Sequence, residues 1–261
     1  MRKTINKLFL IITVISALLL TTGCDLFIKT NKGQVDQKWY MGLTYEDDNG
    51  NDTDYTIGTD GTIAAVALED GYGDEFGIIK GEEAYLNINT IIKNIDKRFY
   101  VDATNNLVMF TDATKTYKTK IGGKTINETE NTDYVISFMD GKNCYVNVKF
   151  VKKYVDFDYK VVKAEGKSPA RIVLKYTSGE KNQMTVKSNI EMRTKADYQN
   201  LIVTTLKKNT KVTVLEESGD WTKVGTDDGF MGYVPAKKLK DKETKKTEFK
   251  SDADTYTHVL M

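Results

Sequence analysis

Apolar positions along this chain fall into three patterns. Leu8 to Leu20 is an apolar run of 13 residues. Beyond Trp39 the apolar residues come in short runs rich in β-branched and aromatic types, such as Tyr55-Thr56-Ile57 and Thr62 to Leu68. These predict strands separated at the hairpin dipeptides Asp60-Gly61 and Asp70-Gly71. From Met184 onward strands are expected at close spacing: Met184 to Val186, Glu191 to Arg193, Val203 to Leu206, Val212 to Glu217, Trp221 to Gly225 and Phe230 to Val234. Ser218-Gly219-Asp220 and Asp227-Asp228-Gly229 mark tight turns among them. About 55 residues of this texture predict a small barrel.

An internal repeat organises the first half. Tyr85-Leu86-Asn87-Ile88 recurs as Tyr145-Val146-Asn147-Val148, and Lys93, Asp96 and Val101 recur as Lys153, Asp156 and Val161. Each copy continues with helical spacing, at Ile91, Ile92 and Ile95 and at Phe150, Val151, Tyr154 and Val155. A further strand is expected after each, over Arg98 to Val101 and Asp158 to Val162, and Ala170 to Tyr176 closes the region. The fold class expected is mainly β or α+β: a two-repeat strand–helix–strand domain over 37–177, then an SH3-like β-barrel over 184–239. The repeated Asn is expected to hold backbone groups at a helix start, with no ligand role.

Two stretches resemble known families. Asn94 to Asp102, followed by Leu107-Val108-Met109-Phe110-Thr111, resembles the N-terminal region of clostridial extracellular proteins. Those carry a copper amine oxidase N-terminal-like domain, a bacterial SH3 domain and a glycoside hydrolase family eighteen barrel. Leu206 to Leu215, Gly219 to Val224 and Gly229 to Val234 resemble a bacterial SH3 domain. Over Met192 to Ala196 the chain departs from that family's usual Asn-Val-Arg-Ser-Gly-Pro-like run and keeps only Arg193. The resemblance implies a module that grips cell-wall peptides or glycan. Trp221 and Tyr233 would stack on the ligand, Arg193 would pair with a peptide carboxylate, and Tyr198 is a further candidate. The alternative for Trp221 and Tyr233 is that they fill the core of a tiny barrel.

The start of the chain bears on location. Arg2, Lys3 and Lys7 precede the apolar run, and Thr21-Thr22-Gly23-Cys24 follows it. Thirteen residues suit a signal-peptide core better than a membrane span. Small residues before a cysteine resemble the lipobox of bacterial lipoproteins, although Thr21 stands where that family prefers Leu. The resemblance implies cleavage after residue 23, lipid on Cys24 and a body on the extracellular face of the membrane. An uncleaved anchor or a plain secretory leader is the alternative. Residues 24–36 read as a polar tether and 240–261 as a charged linker whose apolar end, Tyr256 to Met261, belongs to a longer relative.

Charge and composition narrow the chemistry. Lys+Arg (38) nearly balances Asp+Glu (37), which argues against a nucleic-acid partner. A single histidine, His258, leaves no Ser-His-Asp triad and no multi-histidine metal site. Cys144, in the apolar stretch Cys144-Tyr145-Val146, reads as a buried small hydrophobe. Family-eighteen catalysis needs Asp-x-x-Asp-x-Asp-x-Glu, and the nearest approach, Asp156-Phe157-Asp158, is flanked by Lys153 and Lys160. No hydrolase activity is expected of these residues. Asp47 to Asp54 has the wrong glycine step for a calcium loop and reads as a hairpin tip around Asn49-Gly50. The two sequons, at Asn51 and Asn127, read as chance.

The sequence therefore predicts a lipid-anchored binding module without cofactors or metal. Its partners would be peptidoglycan or another wall polymer and, through Cys24, the membrane. Alternatives are the targeting arm of a chitinase-like hydrolase, or a surface module that binds another protein.

Overall fold

The computed structural model describes residues 30–176 and 179–247. The leader 1–23, Cys24 and His258 lie outside the described residues. A short helix α1 (Gln37–Tyr40) is capped by Asp36, which accepts from the Lys38 and Trp39 amides. The strands follow as β1 (Thr44–Glu46), β2 (Asp52–Asp54), β3 (Thr62–Ala67), β4 (Gly77–Lys80) and β5 (Glu83–Asn87). Helix α2 (Ile88–Asn94) leads to β6 (Phe99–Asp102), β7 (Leu107–Thr111), β8 (Thr116–Lys120), β9 (Thr125–Ile126), β10 (Glu130–Asn131), β11 (Ser137–Asp140) and β12 (Asn143–Asn147). Helix α3 (Val148–Lys152) precedes β13 (Phe157–Val162) and β14 (Ala170–Tyr176).

The first domain is built on the sheet β11-β12-β5-β4-β3-β14-β13, in which only β14 and β3 pair in parallel. Its central strands are buried on both faces, so they read as continuous apolar runs rather than alternating ones. On one face Leu86, Val146, Ile172 and Leu174 meet α2, α3 and the β6-β7-β8 sheet through Ile91, Phe150, Phe99 and Phe110. Full burial of side chains this size contributes about 1.5–3 kcal/mol each. On the other face Tyr85, Tyr145, Ile78 and Ala65 join Met41 and Leu43 of the N-terminal segment in a second apolar cluster.

Both repeated asparagines cap helices. Asn87 Oδ1 accepts from the Asn89 amide at 2.9 Å, and Asn147 Oδ1 from the Lys149 amide at 2.8 Å. The two copies lie side by side, because β12 pairs antiparallel with β5 in the register Tyr145↔Asn87, Val146↔Leu86 and Asn147↔Tyr85. Beyond the helices the copies diverge. β6 leaves for the three-stranded sheet, whereas β13 joins the edge of the large one. The third element is therefore not equivalent in the two halves.

The second domain contains β15 (Gly179–Val186), β16 (Ile190–Arg193), β17 (Ile202–Leu206), β18 (Lys211–Ser218), β19 (Trp221–Gly225) and β20 (Met231–Pro235). A 3-10 turn (Ala236–Lys238) then leads into β21 (Leu239–Thr247). The sheet order is β17-β16-β20-β19-β18-β15-β21. Val186, Met192, Val203, Leu206, Val212, Val224 and Val234 fill its interior. β16 and β20 cross closely, so a Cβ on Gly232 would stand 2.6 Å from the Arg193 carbonyl oxygen.

Two polar segments are structured where the sequence reads as linker. Residues 240–247 belong to β21, and β15 begins at Gly179, between the two expected domains 37–177 and 184–239. This ribbon has almost no buried apolar face, so it lacks the alternation that reveals a strand. Backbone pairing and polar contacts such as Thr244 Oγ1 to Asn182 Oδ1 at 2.8 Å hold it instead. Likewise, residues 31–35 of the expected tether lie along β17. The Asn31 amide donates to Tyr198 O, the Ile202 amide to Gly33 O and the Val35 amide to Ile202 O, each at 2.9 Å.

Candidate functional site

The antiparallel register of β19 and β20 decides which side chains share a face. Trp221 lies opposite Pro235, Lys223 opposite Tyr233 and Gly225 opposite Met231. Thr222, Val224 and Val234 turn inward and are buried. Trp221 and Tyr233 thus stand on the outer side of the barrel, each half-buried, rather than in its core. Tyr198, in the loop between β16 and β17, meets Trp221 edge to face with ring centroids 4.8 Å apart. Tyr198 and Trp221 thus make a contacting pair with partly open rings, suited to stacking against a sugar or peptide plane, and Tyr233 shares Trp221's side of the barrel.

Arg193 does not serve this face as expected. It is 1% exposed. Its Nη1 donates to Asn31 O at 2.9 Å and to Asn200 O at 2.6 Å, while Nη2 pairs with Glu191. A guanidinium committed to two carbonyls and a carboxylate, with no solvent access, cannot capture a ligand carboxylate. Its role is to bind the N-terminal strap and the Tyr198 loop to β16. The ring of Tyr198 lies 5.9 Å from the guanidinium carbon, so Arg193 positions a candidate residue without touching ligand. The departure from the family pattern over Met192 to Ala196 coincides with this use of the strap.

The opposite end of the face abuts the first domain. The Met231 carbonyl accepts from Tyr40 Oη at 3.0 Å. Tyr72 Oη donates to Gly229 O at 2.9 Å and accepts from the Met231 amide at 3.2 Å. Burial, reinforced by the nearby Tyr233 hydroxyl, pushes the Tyr40 phenol up to about 12, so it remains a donor at neutral pH. Lys223 Nζ reaches Asp70 O at 2.7 Å. Arg171, 3% exposed, lays its guanidinium over the Phe230 ring at 4.3 Å and donates to Asp228 O at 2.6 Å. Gly229 sits at the contact with φ +84°, and a Cβ there would lie 2.7 Å from Val173 Cγ2. The aromatic strip therefore runs from the Tyr198 loop to a wall supplied by the first domain. Sequence reasoning missed Tyr40, Tyr72 and Arg171, because their roles depend on how the two domains meet.

Cys144 is 2% exposed, and burial pushes its thiol up to about 12, so it is a packing residue without a thiolate at neutral pH. Asp47 closes the β1–β2 hairpin by accepting from the Asn49 and Asn51 amides at 2.9 and 2.8 Å, and Gly50 takes φ +79° at the tip. Among the described residues no helix is long and apolar enough to cross a membrane.

No curated protein and no solved structure matches the chain. Residues 188–240 match the bacterial SH3 domain family, a match that points to a cell-wall or protein binding module in this part of the chain.

Proposed function

We propose that the chain is a non-catalytic protein, lipid-anchored on the extracellular face of the cell membrane, that holds peptidoglycan through its SH3-like module. The observation that carries this reading is the strip of Trp221, Tyr198 and Tyr233 on the outer face of the domain matched at 188–240. Half-open aromatic rings bind neutral or zwitterionic wall fragments with little dependence on net charge. That suits a body carrying 35 basic and 37 acidic side chains once residues 1–23 are removed.

The strap supports the anchoring half of the reading. Five residues separate Cys24 from Thr30, so the six steps between them reach at most about 20 Å. Asn31 is bonded beside Tyr198. Lipid on Cys24 would keep the aromatic strip close to the bilayer, at the wall's inner surface. Anchoring then raises the effective concentration of a weak site against the polymer above it. Sedimentation of purified residues 24–261 with isolated wall sacculi tests this function. Saturable pelleting that weakens in Trp221→Ala and Tyr198→Ala is expected. Absence of pelleting would move the assignment to a protein partner.

A further inference from the structure

The first domain carries an open groove of about 430 Å3 that the wall-binding strip does not use. Lys38, Asp54, Tyr55, Thr56, Ile63 and Pro169 are among its lining residues. Tyr55 is 38% exposed. Its ring is braced from two sides, by Tyr45 at 5.1 Å and by Phe76 at 5.2 Å between centroids. Phe76 is buried and packs in turn on Tyr145, so Tyr55 belongs to a continuous aromatic row that runs from exposed Tyr45 to buried Tyr145. Little side-chain entropy remains for Tyr55 to lose on binding a ligand.

The charges of the groove select the ligand class. Its lining holds one cation and one anion, Lys38 and Asp54, and these pair with each other. With no net charge, the groove has no ionic pull on a phosphate, a carboxylate or a basic peptide. Both charged groups remain about half exposed, with hydrogen-bonding capacity beyond the pair. Thr56 and Thr62 also line the groove. A braced aromatic face beside neutral-sum donors and acceptors matches a neutral molecule with an apolar face and a polar rim.

We propose that this groove is a saccharide-binding site, with a pyranose ring stacked on Tyr55 and its hydroxyls bonded by Asp54 and Lys38. The site is independent of the SH3-like strip and would give the protein a second hold on glycan. Its volume lies in the range of small-ligand pockets.

The test is calorimetric titration of the native chain, residues 24–261, with N-acetylglucosamine tetramer. Saturable binding is expected, weakened about tenfold or more by Tyr55→Ala and about threefold or more by Asp54→Asn. Tyr55→Phe keeps the platform and should bind within about threefold of native. Asp54 is exposed, so Asp54→Asn tests the site even where Tyr55→Ala disturbs packing on Phe76. Trp221→Ala removes the strip used for sacculi and leaves the Tyr55 groove intact, so this variant should keep saturable tetramer binding that a second change, Tyr55→Ala, weakens. No saturable binding by the native chain would overturn the proposal. So would native-like binding by both Asp54→Asn and a folded Tyr55→Ala, or loss of the tetramer through Trp221→Ala alone. None of these results bears on whether sacculi pellet with the SH3-like strip.

Discussion

Tyr198 meets Trp221 edge to face at 4.8 Å, and the backbone carbonyl of Tyr198 accepts the Asn31 amide at 2.9 Å. The candidate binding surface is therefore fixed partly by residues more than 150 positions earlier in the chain. The strap, the buried Arg193 and the Tyr198 loop form one polar assembly. Trp221 is presented against it.

Arg193 is the keystone of that assembly. Arg193→Ala would strip Asn31 O and Asn200 O of their shared donor and leave Glu191 without its closest cation. A loss of about 3 kcal/mol in unfolding free energy is expected, read from the urea midpoint. A ligand-pairing Arg193 would instead leave the midpoint unchanged and affect only wall binding.

The domain contact should be sensitive to Gly229. At φ +84° and with Val173 Cγ2 2.7 Å from the position of a Cβ, Gly229→Ala meets both backbone strain and a clash. The variant should lose about 1–3 kcal/mol. Limited proteolysis should also cut between the domains faster than in the native chain. An unaltered cleavage rate would mean that the contact does not hold the domains together.

Lys175 sits 2.8 Å from Asp227 across the same contact and holds the Asp227 carboxyl below the usual carboxylate range. A depressed folded value means the pair stabilises above the unfolded value near pH 4 and fades as pH falls through the folded one. The pair is exposed, so its contribution at pH 7 is at most about 1 kcal/mol. The stability difference between native and Asp227→Asn chains should shrink towards zero as pH falls through the lowered value of the folded carboxyl. A difference that grows on acidification would contradict the pairing.

Cys144 should be inert to an aromatic disulfide reagent in the folded chain and react fully in denaturant. Its thiol is 2% exposed and its ionisation is pushed up to about 12. Rapid native reaction would show that β12 opens readily.

The apolar strands were legible because burial of both faces writes them as continuous runs. Ala170 to Tyr176 matches the observed β14 to the residue in this way, whereas Trp221 to Gly225 matches β19 through the alternation of half-buried and buried positions. The asparagine caps were legible because a short amide before a helical pattern has one favoured use. The ribbon of β15 and β21 was not, since backbone pairing between polar segments leaves no periodic trace. Residues 31–35 were hidden for the same reason. Of the candidate site, Trp221, Tyr233 and Tyr198 lie within the SH3-matched residues with their side chains partly exposed, whereas Arg193 does not face solvent. An arginine's type reveals its charge, but only the fold reveals whether Asn31, Asn200 and Glu191 already consume it.

Wall binding through the SH3-like face requires Trp221 to touch the polymer, and its indole emission reports that contact. The chain contains two tryptophans, Trp39 and Trp221, so a Trp39→Phe variant isolates the emission of Trp221. Soluble peptidoglycan fragments added to that chain should shift and saturate its fluorescence at the concentration that half-saturates sacculus binding. Saturable sacculus binding with unchanged Trp221 emission would contradict the account.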